Sequence, residues 1–313
     1  MSKINYHIFY YIFLKRSLSL FYLFFLSVII YPQSADNERT FVLGFTENTF
    51  DNINSRDLKA ATELLTQEII ANSGKKWKSE TLIYKGQDQI ISDLTRGNIT
   101  ALAMSTYEYL LLKDQFDLIP VVVPEYGGYF KDNVVILASA NSNINSISDL
   151  RNKQVMIQEH KKGLLADIWL TTILNENKYD PKELFFGELY QESESTKSIM
   201  NLFFGKVDAC ITTKQIFKTM ADLNPQIGKS LRIVEESEPL VFAVICLIPN
   251  NLTRDDKDLI VYTMETLHEQ NAGSQILKIF RINKLIKYNE AFMINTKDLI
   301  ERSDSYNFSS NKN

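Results

Sequence analysis

Apolar positions recur along this chain in two alternating patterns. Short unbroken apolar runs read as buried strands, and segments with apolar residues three and four apart read as helices facing a core. Residues 41–45 are such a run and pass into Thr46-Glu47-Asn48. Residues 56–72 carry Leu58, Ala61, Leu65 and Ile69 at helical spacing. A strand over 81–84, a helix over 87–96 stopped by Gly97, a strand over 99–104 and a helix from about 106 follow. The strand 118–123 ends this series at Pro124 and the turn Glu125-Tyr126-Gly127-Gly128.

A second series then runs to residue 237. Strands are expected at 134–138, 154–157, 184–186, 207–211 and 231–234, with helices at 146–151, 163–176, 195–204 and 215–221. A break at 235–239 leads to an apolar strand within 241–248 and two amphipathic helices, about 255–268 and 273–281. Strands alternating with helices imply an α/β protein with mostly parallel sheets. Two series separated by Pro- and Gly-containing breaks imply two lobes joined by two crossings. The expected division is 36–123 and 238–302 for the first lobe, 124–237 for the second, and a polar, disordered tail over 303–313.

One internal echo is sharper than this alternation. GNITALAMST, starting at Gly97, lies without gaps on GKVDACITTK, starting at Gly205, and Tyr109 and Phe217 fall in matching positions. Each copy follows a helix, stops at glycine, forms a buried strand and opens a new helix from a hydroxyl-bearing loop. In open parallel sheets, ligands bind beyond the carboxyl ends of the strands. Helix amino-termini there offer unpaired N–H groups and partial positive charge, which suit anions. Ser105, Thr106, Thr212 and Thr213 are therefore candidate ligand contacts. Ordinary N-capping, worth about 1 kcal/mol per residue, competes with that role and is compatible with it. Thr46, Glu47 and Asn48, and Glu159 to Lys162, also follow strands and precede helices.

Composition narrows the function classes. The 34 basic and 38 acidic residues leave a net charge of −4, which argues against a broadly basic nucleic-acid binder. The three histidines, His7, His160 and His268, leave little for a metal centre, and none is expected. Cys210 and Cys246 read as two buried thiols in different lobes. Residues 1–35 contain no acid, carry Lys3, Lys15 and Arg16, and place the apolar run 17–30 directly after Lys15-Arg16. That describes a secretory signal peptide better than a bilayer-spanning helix of about 20 residues. An uncleaved amino-terminal anchor is the alternative, because Gln33 is a poor residue at −3 if Ala35 is the cleavage point. No cysteine follows the run to carry a lipid.

The segments FVLGFTENT, GNITALAMSTYEYLLL, SISDLRNKQVMI, GKVDACITT and IFRINKLIKYNEAF together resemble the phosphate/phosphonate-binding family of periplasmic solute-binding proteins. The resemblance covers about residues 40–290. It implies a two-lobed type 2 periplasmic-binding fold with the ligand cleft between the lobes, a small-molecule ligand and docking on an inner-membrane ABC importer. The ligand positions depart from the family pattern. A Ser-Thr-Ser-Gly run common at one helix start reads His160-Lys161-Lys162-Gly163 here. A tyrosine falls on Met104, a Ser-His pair on Glu194-Ser195, and an acidic residue on Thr213. Lysines beside a helix terminus still suit an anion.

The expectation is an exported, monomeric binding module for a small anion, delivering to an ABC permease, with no cofactor. The alternative output is a ligand-sensing partner of a membrane receptor. An enzyme is disfavoured, since no P-loop, Gly-x-Ser-x-Gly, HExxH or dinucleotide fingerprint is present.

Overall fold

A computed structural model describes residues 39–49, 55–158, 164–249 and 252–310. The leader, and with it the expected signal peptide or anchor, lies outside the described residues. In chain order the strands are β1 Thr40–Thr46, β2 Lys78–Tyr84, β3 Ala101–Ser105, β4 Ile119–Glu125, β5 Val134–Ser139 and β6 Gln154–Gln158. They continue with β7 Glu188–Glu192, β8 Ala209–Thr213, β9 Leu231–Glu236, β10 Ala243–Leu247 and β11 Lys284–Lys287. The helices are α1 Ser55–Ser73, α2 Gln87–Arg96, α3 Thr106–Leu112, α4 Leu164–Glu176, α5 Lys182–Phe185 and α6 Ser195–Phe203. After these come α7 Lys214–Leu223, α8 Pro225–Ser230, α9 Arg254–Thr266, α10 Asn271–Ile279 and α11 Ile294–Ser310.

The strands form two separate sheets. One has the order β11-β4-β10-β3-β1-β2 and the other β7-β6-β8-β5-β9. Leu102 lies in the first and Cys210 in the second, so the echoed segments belong to different lobes. Each sheet is mixed. β1 pairs in parallel with β2 and β3, whereas β10 returns antiparallel between β3 and β4. In the second sheet β6 pairs in parallel with β7 and β8, and β5 runs antiparallel to β8 and β9.

The central strands of both sheets are buried on both faces, which is why β1, β3, β5, β8 and β10 read as continuous apolar runs. Phe41, Leu43 and Phe45 pack under α1 through Leu58, Ala61, Leu65 and Ile69, while Leu102 and Met104 face the other side with Ile90 and Leu94 of α2. The second sheet has the same arrangement, with Ile157 and Ile211 toward α4 and Cys210 toward α6. The two thiols are free and buried, and burial pushes both well above the usual cysteine range.

Three elements differ from the sequence pattern. Residues 184–186 are not a strand: Phe185 ends the short helix α5, which Pro181 caps, and the edge strand forms later at β7. Phe185 and Phe186 are apolar because both rings fill the core under α4. β11, with only Leu285 buried, has too short a pattern to stand out. The tail expected to be disordered from residue 303 continues α11 to Ser310.

α11 also leaves the lobe its chain position suggests. Met293 is buried in the first lobe with Leu102 and Met104, but Leu299 and Ile300 pack in the second-lobe core with Trp169, Leu170 and Leu174. Apolar residues this close in sequence carry no mark of which lobe they will bury against. Among the described residues no helix is long and apolar enough to cross a membrane.

Candidate functional site

The echoed loops are built alike. Gly97 and Gly205 both take φ +70°, the left-handed conformation that ends a helix at low cost for glycine. The strands that follow, β3 and β8, are each five residues long and deliver Ser105 and Thr213 as the N-cap residues of α3 and α7.

In the first lobe the hydroxyls are committed to internal bonds. Ser105 and Glu108 form a capping box: Ser105 Oγ accepts from the Glu108 amide at 3.2 Å, and Glu108 Oε2 accepts from the Ser105 amide at 2.9 Å. The same carboxylate oxygen accepts from Ser105 Oγ and Thr46 Oγ1, each at 2.8 Å. Thr46 and Thr49 hydroxyls lie 2.9 Å apart. Glu108 thus ties the carboxyl ends of β1 and β3 together. Thr106 is fully buried, its hydroxyl donates to Val241 O at 2.6 Å, and its amide donates to Phe242 O. It serves the second crossing. Glu47 opens a 3-10 turn and lies 4.0 Å from Lys85. Asn48 is in that turn, and its side chain is outside the described residues.

The second-lobe hydroxyls are arranged differently. Thr213 makes no side-chain cap bond to α7. Asp132, on the first crossing, takes that place by accepting from the Gln215 and Asn133 amides at 3.1 and 2.8 Å. Burial pushes the Asp132 carboxyl above its ordinary value, although bonds from Thr213 and the two amides and the charge of Lys214 oppose the shift. Lys214 itself pairs with Glu236 at 2.7 Å.

One strand position earlier, Thr212 points to the face occupied by α6. The β6–β8 register, carried one residue past Ile157–Ile211, sets it beside Gln158 of β6, whose Oε1 accepts from Ser195 Oγ at 3.0 Å. Among the described residues, Thr212 Oγ1 and Ser198 Oγ are buried with no hydrogen-bond partner in the protein. Leaving such a group unpaired costs about 1–3 kcal/mol. The cap position of α6, Glu194, makes no side-chain cap bond and pairs with Lys197 at 2.8 Å. Glu159, His160, Lys161 and Lys162 lie outside the described residues, between β6 and α4.

Sequence patterning missed three residues here. Glu108 carries a usable signal, since Ser-x-x-Glu before an apolar run is the capping-box pattern. Gln158 and Asp132 carry none, because only strand register and the crossing bring them to their partners. Among the described residues no group of three or more His, Cys, Asp or Glu could hold a metal ion.

A test of the Asp132 arrangement follows. A raised carboxyl binds its proton more tightly in the folded chain, so its contribution is full below the ordinary carboxylate pKa. That contribution is lost as pH rises through the raised value. Asp132→Asn, which keeps an acceptor oxygen, should flatten the fall in stability between mildly acidic and neutral pH. Asp132→Ala should lose the cap as well, about 1 kcal/mol, at every pH. Urea unfolding of both variants across pH 4–7 checks this, and identical pH profiles in wild type and Asp132→Asn would refute it.

Two α/β lobes, each presenting a hydroxyl-bearing helix start at strand carboxyl ends, define a two-lobed binding protein of the periplasmic type. The family described as "ABC transporter, phosphonate, periplasmic substrate-binding protein" matches residues 52–291. The chain belongs to that family.

Solved structures agree in fold. PhnD1 from Prochlorococcus marinus, in complex with methylphosphonate, superposes with a TM-score of 0.61 at 15% identity over 85% of this chain and 98% of its own. A binding protein component of an ABC phosphonate transporter from Pseudomonas aeruginosa gives 0.60 at 13% identity, covering 86% and 89%. XAC2383 from Xanthomonas citri, bound to ATP, gives 0.62 at 16% identity, covering 85% and 97%. Comparison with curated proteins yields no match.

Proposed function

We propose that this chain is exported and captures a small, anionic, phosphate- or phosphonate-like solute between its lobes, delivering it to an inner-membrane ABC permease without catalysis. The observation that carries the reading is Thr212: a buried hydroxyl with no partner among the described residues, at the carboxyl end of β8 and on the face covered by α6. A ligand oxygen would accept from it and offset its desolvation cost. The start of α6 and the lysines between β6 and α4 would add donors and positive charge from the same lobe, and Thr213, bonded to Asp132, would stand beside them. The first-lobe pair Thr46 and Ser105, held by Glu108, would then form the opposing wall. Family membership and the export-type leader support capture outside the cytoplasm.

A thermal-shift screen of the chain from Asp36 onward tests this. Inorganic phosphate, phosphite, methylphosphonate, alkylsulfonates and oligopeptides are the probes. A ligand at 100 times its Kd should add about 2.7 kcal/mol to stability. Stabilisation by phosphate or a phosphonate, and its loss in Thr212→Val, is the expected result. Stabilisation by oligopeptides alone would overturn the anion reading.

A further inference from the structure

Helix α11 begins in one lobe and ends against the other. Its first turn is fastened to the second crossing: Asn295 Nδ2 donates to Pro239 O at 3.1 Å, and Thr296 Oγ1 accepts from the Val241 amide at 3.0 Å. The carbonyl of Val241 is held in turn by Thr106 Oγ1 of α3. Leu240, one residue earlier, exchanges both backbone bonds with Asp132 on the first crossing. Both crossings are therefore stitched together beside the start of α11.

The next turns pack on the second lobe. Leu299 is 1% exposed and Ile300 8%, both in the core that α4 covers. Arg302 then bridges Glu176, the last residue of α4, at 2.5 Å and Asp298 at 2.9 Å. Tyr107 and Leu110 of α3, from the first lobe, pack against the same core. Any rotation of one lobe against the other must shear the α11–α4 face or bend the chain between Met293 and Leu299. Close-packed apolar faces resist such sliding and tend to occupy discrete arrangements.

We propose that α11 is a brace across the hinge, which fixes the angle between the lobes before ligand arrives and so sets the cost of closing the cleft. The inference rests on the two-lobed architecture and not on which solute binds.

Its test needs no ligand. Spin labels at Lys59→Cys in the first lobe and Lys229→Cys in the second report the interlobe distance in the full chain. Both native cysteines are fully buried. Pulsed electron-spin distance measurements should give one narrow distribution in the otherwise wild-type protein. Leu299→Ala should broaden it or move its mean, and Arg302→Ala should do so to a smaller extent. Ile199→Ala, a truncation in the second-lobe core away from α11, should lower stability and leave the distribution alone. Unchanged distributions in Leu299→Ala and Arg302→Ala would overturn the brace, as would an equal change in Ile199→Ala. Should Leu299→Ala not fold, Arg302→Ala combined with Ile300→Val decides the matter by the same criterion.

Discussion

Replacing Lys161 and Lys162 together with alanine is expected to weaken anion binding by about 1.5–3 kcal/mol for each charge-assisted hydrogen bond lost. That is roughly ten- to more than a hundredfold in Kd per bond. The size follows from what the family's hydroxyl run would have done. Where the resemblance places a Ser-Thr-Ser run, this chain has His160-Lys161-Lys162, so on the proposed reading ammonium groups stand in for hydroxyl donors. Ammonium groups near a helix amino-terminus add full charge to its partial charge. Calorimetric titration with whichever anion the screen identifies gives the affinity. The melting temperature of the empty protein should hardly move if the two lysines serve the anion and not the fold. Unchanged affinity in the double variant would leave the anion to Thr212, Thr213 and the start of α6.

Asp256→Ala is expected to cost about 3 kcal/mol of stability, or roughly 6–12 °C in Tm. Asp256 is 3% exposed and does two jobs at the start of α9. Its amide donates to Thr253 Oγ1 and its Oδ2 accepts from the Thr253 amide, each at 3.1 Å, which closes a capping box. Its Oδ1 takes Lys75 Nζ at 2.7 Å and so links α9 to the chain that leaves α1. Removing the carboxylate takes the ion-pair partner from Lys75, whose side chain is one-quarter exposed, which keeps the loss at the lower end of what breaking a buried pair costs. Burial pushes this carboxyl up, but the bonds from Lys75 and Thr253 outweigh it and hold it below the usual carboxylate range. A depressed carboxyl contributes stability that is present above its unfolded pKa and lost as pH falls through the folded value. The variant should therefore differ most from wild type at neutral pH and least in acid. Urea unfolding at pH 7 and pH 3 measures both. A deficit that is equal at the two pH values would refute the depressed carboxyl.

The strands and glycine stops were legible because each depends on neighbours in sequence. Phe41 to Phe45, Leu102 to Met104 and Ala209 to Ile211 are apolar without a break because both faces of these central strands are covered. Gly97 and Gly205 sit where a left-handed residue must end a helix. Phe185 and Phe186 misled for the converse reason, since a helix end facing a core is as apolar as a strand. The hydroxyls of the two loops could be located, but not their partners. Glu108 was within reach of pattern, three residues from Ser105, whereas Asp132 and Thr213 are brought together only by the first crossing.

The sequence by itself determined the alternation of strands and helices, the division into two series and the placing of Ser105 and Thr213 at helix starts, because period, capping and turn chemistry act over a few residues. Tertiary structure decided which hydroxyls find partners within the described residues. Thr106 and Thr212 both lie near the ends of the echoed segments, yet Thr106 donates to Val241 O on the second crossing, whereas Thr212 meets no acceptor among the described residues. Tertiary structure also decided that α11 belongs to both lobes. Burial of Met293 on one side and Leu299 on the other is a matter of what lies opposite each residue in space, which no local pattern encodes.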